Sequence, residues 1–246
     1  MFTCAEKHYK IRLVLSLLVL LSFGFIFAKR EYQDNDFGKE FNNRLLVANS
    51  NMEKLQPGFE LCSQLTSVSP KFLSAIVFPE IMRYSKLKDD VESESLKVLY
   101  VQLGNQYADF SIGKFQMKPS FAEQIEKLTD SLLPKSISKE FNLSYSVIAA
   151  DLIRQERIYR LLDVEWQQIY LTAFVLVCDR LFEGVVFEKD LDKLQWYAVV
   201  YNGGFEKDNT WIQKRISIAE SYLENDMPGN KFNYCALASY YFTKTR

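Results

Sequence analysis

Residues 164–182 read VEWQQIYLTAFVLVCDRLF and contain, in IYLTAFVLVC, a run that is apolar on most faces of a helix. A helix that is hydrophobic nearly all round is buried inside a domain, whereas a surface helix shows a single apolar stripe. We therefore predict a central helix at 164–182, with other helices packed around it.

The sequence on both sides of this helix places its apolar residues mainly at helical spacing, without alternation of strands and helices. Pro57-Gly58 is expected to end the first helix, and Pro79 to kink or break the second. Residues 132–143 are expected to form a turn-rich connector, and 104–119 (GNQYADFSIGKFQMKP) a loop or small hairpin. Helices are expected at 37–55, from Ser69-Pro70 onward, at 89–103, from Pro119 to about 128, and at 144–162, 191–201, 210–223 and 234–243. The predicted fold class is all-α, with one domain.

The N-terminal residues have the pattern of an export signal. Three basic residues precede the uncharged run LVLSLLVLLSFGFIFA at 13–28, as in secretory leaders. This run is at the lower limit for crossing a bilayer, and two positive charges follow it directly. Cleavage of residues 1–28 as a signal peptide and retention of 11–28 as an inner-membrane anchor therefore stay open. Both alternatives place 29–246 outside the cytoplasm, in the periplasm or the extracellular space.

Composition excludes several classes of chemistry. The leader holds three of the 30 basic and one of the 31 acidic residues, which leaves the rest with 27 and 30 and a net charge of −3. This balance argues against a nucleic-acid partner. The only histidine is His8, in the leader, so Ser-His-Asp or Cys-His catalysis and imidazole-bound zinc are not expected. No G-x-G-x-x-G or P-loop motif is present, and we expect no cofactor and no metal.

Three cysteines follow the leader and form no CxxC motif. Their spacing leaves one disulfide with a spare thiol open. Cys178 lies inside the apolar run and is predicted to be a small core residue.

The first segment with chemical potential is AIVFPEIMRYS, residues 75–85, in which Glu80 ends an apolar helical stretch. Apolar neighbours desolvate a carboxylate and raise its pKa, which keeps it protonated near neutral pH. A protonated carboxyl group is what a glycosidase needs to protonate a glycosidic oxygen. The alternative is a helix-end glutamate that faces solvent or pairs with Arg83.

Two further segments combine a turn with polar groups. In DFSIGKFQMKPSFA (109–122), a glycine permits a tight turn and Gln116 offers an amide with donor and acceptor. In WYAVVYNGG (196–204), Tyr201 and Asn202 close an apolar helix at a glycine turn. The alternatives are a surface turn followed by an N-cap for the first, and a simple helix C-cap for the second.

The order of these three segments resembles the lysozyme-like lytic transglycosylases, which are related to soluble lytic transglycosylases and goose-type lysozymes. That family has a glutamate ending an apolar helix, a G-x-x-Q-x-x-P-type segment leading into a helix, and a later Y-N-x-G. The resemblance covers roughly residues 70–205 and implies a lysozyme-like helical domain. It implies Glu80 as catalytic acid and then base, cutting the β-1,4 bond after N-acetylmuramic acid in peptidoglycan strands. It further implies that Gln116 and the backbone around Phe115 and Met117 line the sugar groove. Tyr201 is implied to form a hydrogen bond near the glutamate, and Asn202 to hold the turn.

The chain departs from the family pattern around the acid and at the later turn. Ile81 replaces the small hydroxyl residue that usually follows the glutamate, and Pro79 precedes it. Gly203 replaces the alanine of Y-N-A-G.

Two other functions stay open. A lysozyme- or chitosanase-type hydrolase needs two carboxylates, and Asp109 is the candidate partner of Glu80. An Asx-type hydrogen bond in the turn is the alternative for Asp109. The third possibility is an inactive glycan-binding or scaffold module of the cell envelope, which Pro79 and Ile81 favour.

Overall fold

The computed structural model describes residues 42–84, 86–217 and 233–244. The expected leader, its alternative as an anchor, and the linker after it lie outside these residues. So does the end of the helix predicted at 210–223. The helices of the described part are α1 (Asn42–Thr66), α2 (Pro70–Arg83), α3 (Lys86–Leu103), α4 (Pro119–Leu132), α5 (Lys135–Phe141), α6 (Ala150–Leu162), α7 (Val164–Leu181), α8 (Asp190–Gly203), α9 (Asn209–Ser217) and α10 (Tyr234–Lys244). The described part has no strand, and the all-α fold class is confirmed.

Helix α7 lies at the centre, as its sequence predicts. Ten of its residues are buried, and it packs against α4, α6 and α2. Asp163 begins the helix by accepting hydrogen bonds from the backbone N–H groups of Glu165 (2.8 Å) and Trp166 (3.1 Å). A second group forms around α8, which packs against α2, α9 and α10. Since α2 contacts both α7 and α8, it lies where the two groups meet.

A buried ion-pair network joins α3, α4 and α6. The Arg157 guanidinium donates two hydrogen bonds to the Glu126 carboxylate, at 2.9 and 2.6 Å, and a third to Tyr100 Oη at 2.5 Å. Tyr145 and Tyr170 also donate to Glu126, at 2.5 and 2.6 Å. Every charge is hydrogen-bonded, which is the condition for burying an ion pair without a large penalty.

Helix α1 does not end at Pro57-Gly58, as predicted, but continues to Thr66. Proline removes one backbone donor from the helix. Beside this interruption, the Gln168 side chain on α7 donates to the Leu55 carbonyl oxygen at 2.8 Å. Phe59 and Cys62 are buried beyond the proline. These tertiary contacts therefore stabilise a helix that is continuous across Pro57.

Pro79 likewise does not break α2, which runs on to Arg83. Proline at this position cannot donate to the carbonyl four residues earlier. In the same turn, the Tyr234 hydroxyl donates to the Ile76 carbonyl oxygen at 2.9 Å. The side chains of α2 from Phe72 to Met82 are all buried, and this burial holds the helix together around the proline.

Two further predictions at 132–162 were wrong. The connector contains the short helix α5, which ends at Asn142 in the left-handed conformation. Residues 144–149 are not helical, because α6 begins only at Ala150. Arg160 donates to the carbonyl oxygens of Leu143 and Ser144, at 3.1 and 3.0 Å, and its guanidinium lies 4.3 Å from the Tyr145 ring centroid. These contacts attach the beginning of the segment to α6 outside the helix.

Among the described residues, no single helix has the length and hydropathy of a membrane span. Only α6 and α7 taken together reach them, and that pair bends by 98°. Cys62, Cys178 and Cys235 are buried free thiols. The disulfide that their spacing left open is therefore not formed, and the core position predicted for Cys178 is confirmed.

Candidate functional site

An open groove with a volume of about 300 Å³ runs between α2, the 109–118 segment, α4 and the end of α8. It brings together the three segments that the sequence singled out. Its lining residues are Glu80, Asp109, Ser111, Gln116, Met117, Lys118, Ser120, Phe121, Gln124, Tyr201, Asn202, Gly203, Gly204, Phe205, Glu206 and Lys207.

Glu80 lies in the last turn of α2, and its backbone carbonyl accepts a hydrogen bond from Tyr84 N at 2.8 Å. Its side chain is 8% exposed. Burial raises the pKa of Glu80 to about 7, and the positive charge of Arg83, whose Nη1 lies 3.4 Å from Glu80 Oε2, opposes this rise. The carboxyl group therefore exchanges its proton near neutral pH while lining a solvent-accessible groove.

The predicted hairpin is one tight antiparallel turn. Ile112 and Met117 exchange backbone hydrogen bonds of 2.9 and 3.1 Å. Gly113 has φ +68°, which glycine adopts without strain. An added Cβ there would clash with the Gln167 amide and lie 2.7 Å from the Leu161 carbonyl oxygen. Close packing on α6 and α7 thus requires glycine at this position.

Gln116 lines the groove and also stabilises this turn. Its φ of +50° is rare for a residue other than glycine. Its side-chain nitrogen donates to the Gly113 carbonyl oxygen at 2.8 Å. Part of the amide's hydrogen-bonding capacity is therefore used within the protein, and its side-chain oxygen is the group suited to accept from a ligand.

The backbone around Phe115 was expected to line the groove, but Phe115 lies behind the groove and is not among its lining residues. Its ring is fully buried and stacks on Phe59 with centroids 5.9 Å apart. Its backbone N–H donates to Gln167 Oε1 at 2.9 Å, and its carbonyl oxygen accepts from the Tyr201 hydroxyl at 2.8 Å. Both backbone groups are thus satisfied inside the protein. Met117, although only 1% exposed, does line the groove.

Tyr201 connects the end of α8 to the hairpin turn. Burial raises the pKa of Tyr201 well above 10, and the negative charge of Glu80 raises it further. The hydroxyl therefore stays protonated and donates to Phe115. Its ring packs edge-on against Phe121 and Phe174, with centroids 5.2 and 5.4 Å apart. Phe205 stacks on Phe121 at 5.5 Å and completes an aromatic floor.

Asn202 lies on the groove wall, at the turn that ends α8. The next residue, Gly203, leaves space for the Trp211 ring of α9, since an added Cβ would come within 2.7 Å of that ring. The indole thus accounts for glycine where the family pattern has alanine.

Asp109 also lines the groove, but both of its oxygens are engaged at the start of α4. Oδ1 accepts from Ser120 N at 3.0 Å, and Oδ2 accepts from Ser120 Oγ at 2.8 Å. Lys118 Nζ lies 4.0 Å from Oδ2. The carboxylate accepts a hydrogen bond from a backbone N–H of the first turn of α4, which has no partner within the helix. Its negative charge is also stabilised by the positive end of the helix dipole. These bonds differ from the Asx-type turn expected as the alternative for Asp109, because the partner is Ser120, eleven residues later in the chain, and not a backbone group of the same turn.

Sequence reasoning missed part of the groove. The groove also includes Phe205, Glu206 and Lys207, which follow the Y-N-G-G turn directly. Their position next to this motif in the sequence could have indicated that they line the groove. Gln124 lies one helical turn after Ser120, and this spacing on α4 was another such indication. Among the described residues, no group of three or more acidic, cysteine or histidine side chains is placed to hold a metal ion.

The fold and the groove define an all-α protein with a buried carboxylic acid in an open, mixed polar and aromatic groove. Comparison with known proteins finds no matching family model, no matching curated protein and no matching solved structure.

Proposed function

We propose that this protein is a lytic transglycosylase that cleaves peptidoglycan at the β-1,4 bond after N-acetylmuramic acid. The observation that carries the proposal is Glu80, a buried carboxyl group with a pKa of about 7 that lines an open groove. The groove is shared with Gln116 and Tyr201 from the two other segments that resemble the family. The proposed fold is correspondingly lysozyme-like.

The reaction needs a single carboxyl group. Protonated Glu80 gives its proton to the glycosidic oxygen as the bond from that oxygen to C1 of the muramic acid breaks. The 6-hydroxyl oxygen of the same sugar attacks C1, and Glu80 takes up the hydroxyl proton. The products are a 1,6-anhydro sugar and a free 4-hydroxyl group, and the enzyme regains its starting protonation state. A pKa near 7 suits a group that serves as acid and then as base.

The rest of the groove suits a sugar chain. Phe121 and Phe205 present aromatic surface, and sugar rings stack their apolar C–H faces on such surfaces. Ser111, Gln124 and Asn202 add polar side chains among the lining residues. Ligand sites commonly combine apolar walls with a few polar groups that fix orientation.

The proposed substrate requires a location outside the cytoplasm. The basic and apolar pattern of residues 1–28 supports export, to the periplasm or beyond. Fractionation of cells that express the chain with a C-terminal reporter tests this directly. A cytoplasmic reporter signal would remove the main support for a cell-wall substrate.

A hydrolase that uses Glu80 with Asp109 is the second candidate, because Asp109 lines the same groove. The two Ser120 hydrogen bonds weigh against it, since they engage both oxygens that would activate water. Digestion of purified peptidoglycan, followed by mass spectrometry of the fragments, separates the candidates. Anhydro-muramyl ends indicate the transglycosylase, and reducing muramyl ends the hydrolase. Intact peptidoglycan with retained glycan binding would indicate an inactive binding module.

A further inference from the structure

We propose that Arg83 is a positioning residue for Glu80, which holds oxygen Oε2 and so makes Oε1 the oxygen that carries the catalytic proton. This inference rests on the proposed function. Arg83 is the last residue of α2, one turn after Glu80, and its Nη1 lies 3.4 Å from Glu80 Oε2. The Arg83 side chain is 36% exposed and that of Glu80 is 8% exposed. The pair therefore connects the buried acid to the protein surface.

The assignment of the proton follows from the chemistry of the guanidinium group. Arginine carries only hydrogen-bond donors and stays charged at all relevant pH values. The oxygen that faces it must therefore act as an acceptor, because a proton there would point at another proton. When Glu80 is protonated, the proton belongs on the opposite oxygen, Oε1. One carboxyl oxygen is thus fixed for donation and the other for anchoring.

The same contact assists the charge change in the reaction. When Glu80 gives its proton to the leaving oxygen, a negative charge forms in a buried place, which is costly without a partner. The Arg83 charge stabilises that carboxylate until it takes up the proton of the attacking hydroxyl group.

Other titratable groups also surround the acid. Burial raises the pKa of Tyr201 well above 10 and also raises the pKa of Tyr241, so both hydroxyl groups remain neutral near pH 7. Tyr201 on α8 and Asp109, Lys118, Glu206 and Lys207 line the same groove as Glu80. On α10, Tyr234 and Tyr241 contact α2 at Ile76 and Phe78. Of the charged groups, Arg83 is the one that lies within ion-pairing distance of the Glu80 carboxylate among the described residues.

The test compares Arg83→Gln, Arg83→Lys and wild type, with Lys139→Gln as a control. Lys139 is an exposed residue of α5 outside the groove, and its substitution removes the same unit of charge. The first readout is the pH dependence of kcat/KM for peptidoglycan cleavage. The second, without substrate, is the titration of the Glu80 carboxyl carbon by ¹³C NMR, with its signal assigned from Glu80→Gln.

We expect Arg83→Gln to shift the alkaline limb of the kcat/KM profile and the NMR titration of Glu80 upward by about one pH unit. The reason is that a nearby positive charge favours the ionised form of the carboxyl group, and the variant lacks that charge. We also expect kcat at pH 5 to fall about tenfold, a part of the 10²-fold or more that acid catalysis contributes. Arg83→Lys should restore most of the wild-type titration and of the wild-type kcat, and Lys139→Gln should change neither quantity. Circular dichroism checks that each variant is folded.

Unshifted NMR titration in folded Arg83→Gln would overturn the role of Arg83, whatever the lysis rates. A loss of rate without a shift of the alkaline limb would overturn it as well, because it would indicate only structural damage. Failure of wild type to cleave would instead overturn the proposed function, and the NMR titration would still decide whether Arg83 holds Glu80.

Discussion

The Tyr201 hydroxyl donates a 2.8 Å hydrogen bond to the backbone carbonyl oxygen of Phe115. This bond joins the end of α8 to the hairpin turn, although the two residues are 86 positions apart in the chain. The same turn is fixed from the other side by Gln167, which accepts from Phe115 N at 2.9 Å. The groove wall that carries Gln116 thus depends on bonds from two core helices.

Tyr201→Phe should destabilise the protein and lower the rate of glycan cleavage. The Phe115 carbonyl oxygen loses its buried partner, at a cost of about 1–2 kcal/mol. Urea unfolding and a turbidity assay on peptidoglycan measure the two effects. Tyr197→Phe is the matched control, since that hydroxyl donates to Asp179 at 2.7 Å and does not line the groove. It should lose stability and keep its cleavage rate. Equal stability of Tyr201→Phe and wild type would contradict the importance of the bond.

Gly113→Ala should cost about 3 kcal/mol of unfolding free energy. Alanine is strained at φ +68°, and its Cβ would displace the Gln167 amide that holds Phe115. Thermal melts compare it with Gly184→Ala, whose added Cβ has no heavy atom within 4 Å. The control should change stability by less than about 0.5 kcal/mol. Similar melting temperatures for the two variants would show that the turn tolerates a side chain.

Ionisation of Glu80 should make stability fall as pH rises. Its pKa is about 7 in the folded protein and 4.5 as the reference value, so the folded state binds the proton more tightly. The contribution of this proton binding to the free energy of unfolding is fully present below pH 4.5 and is lost as pH rises through 7. It amounts to about 3 kcal/mol. Urea unfolding of wild type and Glu80→Gln from pH 4 to 9 isolates this group. The variant should gain relative stability up to about pH 7, and a pH-independent difference would refute the raised pKa.

Asp109→Asn should keep most of the lytic activity. The asparagine oxygen still accepts one hydrogen bond from Ser120 at the start of α4. The loss of unfolding free energy should therefore be about 1 kcal/mol or less. The proposed transglycosylase reaction does not use this carboxylate, and cleavage rates should stay within about threefold of wild type. A loss comparable to that of Glu80→Gln, in a folded variant, would instead support the two-carboxylate hydrolase.

The sequence predicted those parts of the fold that depend on local signals. Pro70 and Pro119 begin α2 and α4 as expected, because proline at the first helical turn costs no hydrogen bond. The apolar run of α7 indicated its central position. The errors at Pro57 and at 144–149 have a tertiary cause: side chains from α7 and α6 bond to those backbones, and no local pattern encodes such contacts.

For the site, the order of three short segments was informative, and the structure brings Glu80, Gln116 and Tyr201 to one groove. The directions in which individual side chains of these segments point were not predictable from the sequence. The inward position of Phe115 depends on a ring of α1, Phe59, which is 56 residues earlier in the chain and carries no motif.

The most direct test of the central claim is the yield of 1,6-anhydro-muramyl ends from purified peptidoglycan, measured by mass spectrometry for wild type and Glu80→Gln. Glutamine has nearly the same shape as glutamate but cannot donate the catalytic proton. We expect anhydro ends with wild type and a reduction in their yield on the order of 10²-fold or more with folded Glu80→Gln. Equal cleavage by both proteins, or only reducing ends from wild type, would contradict it.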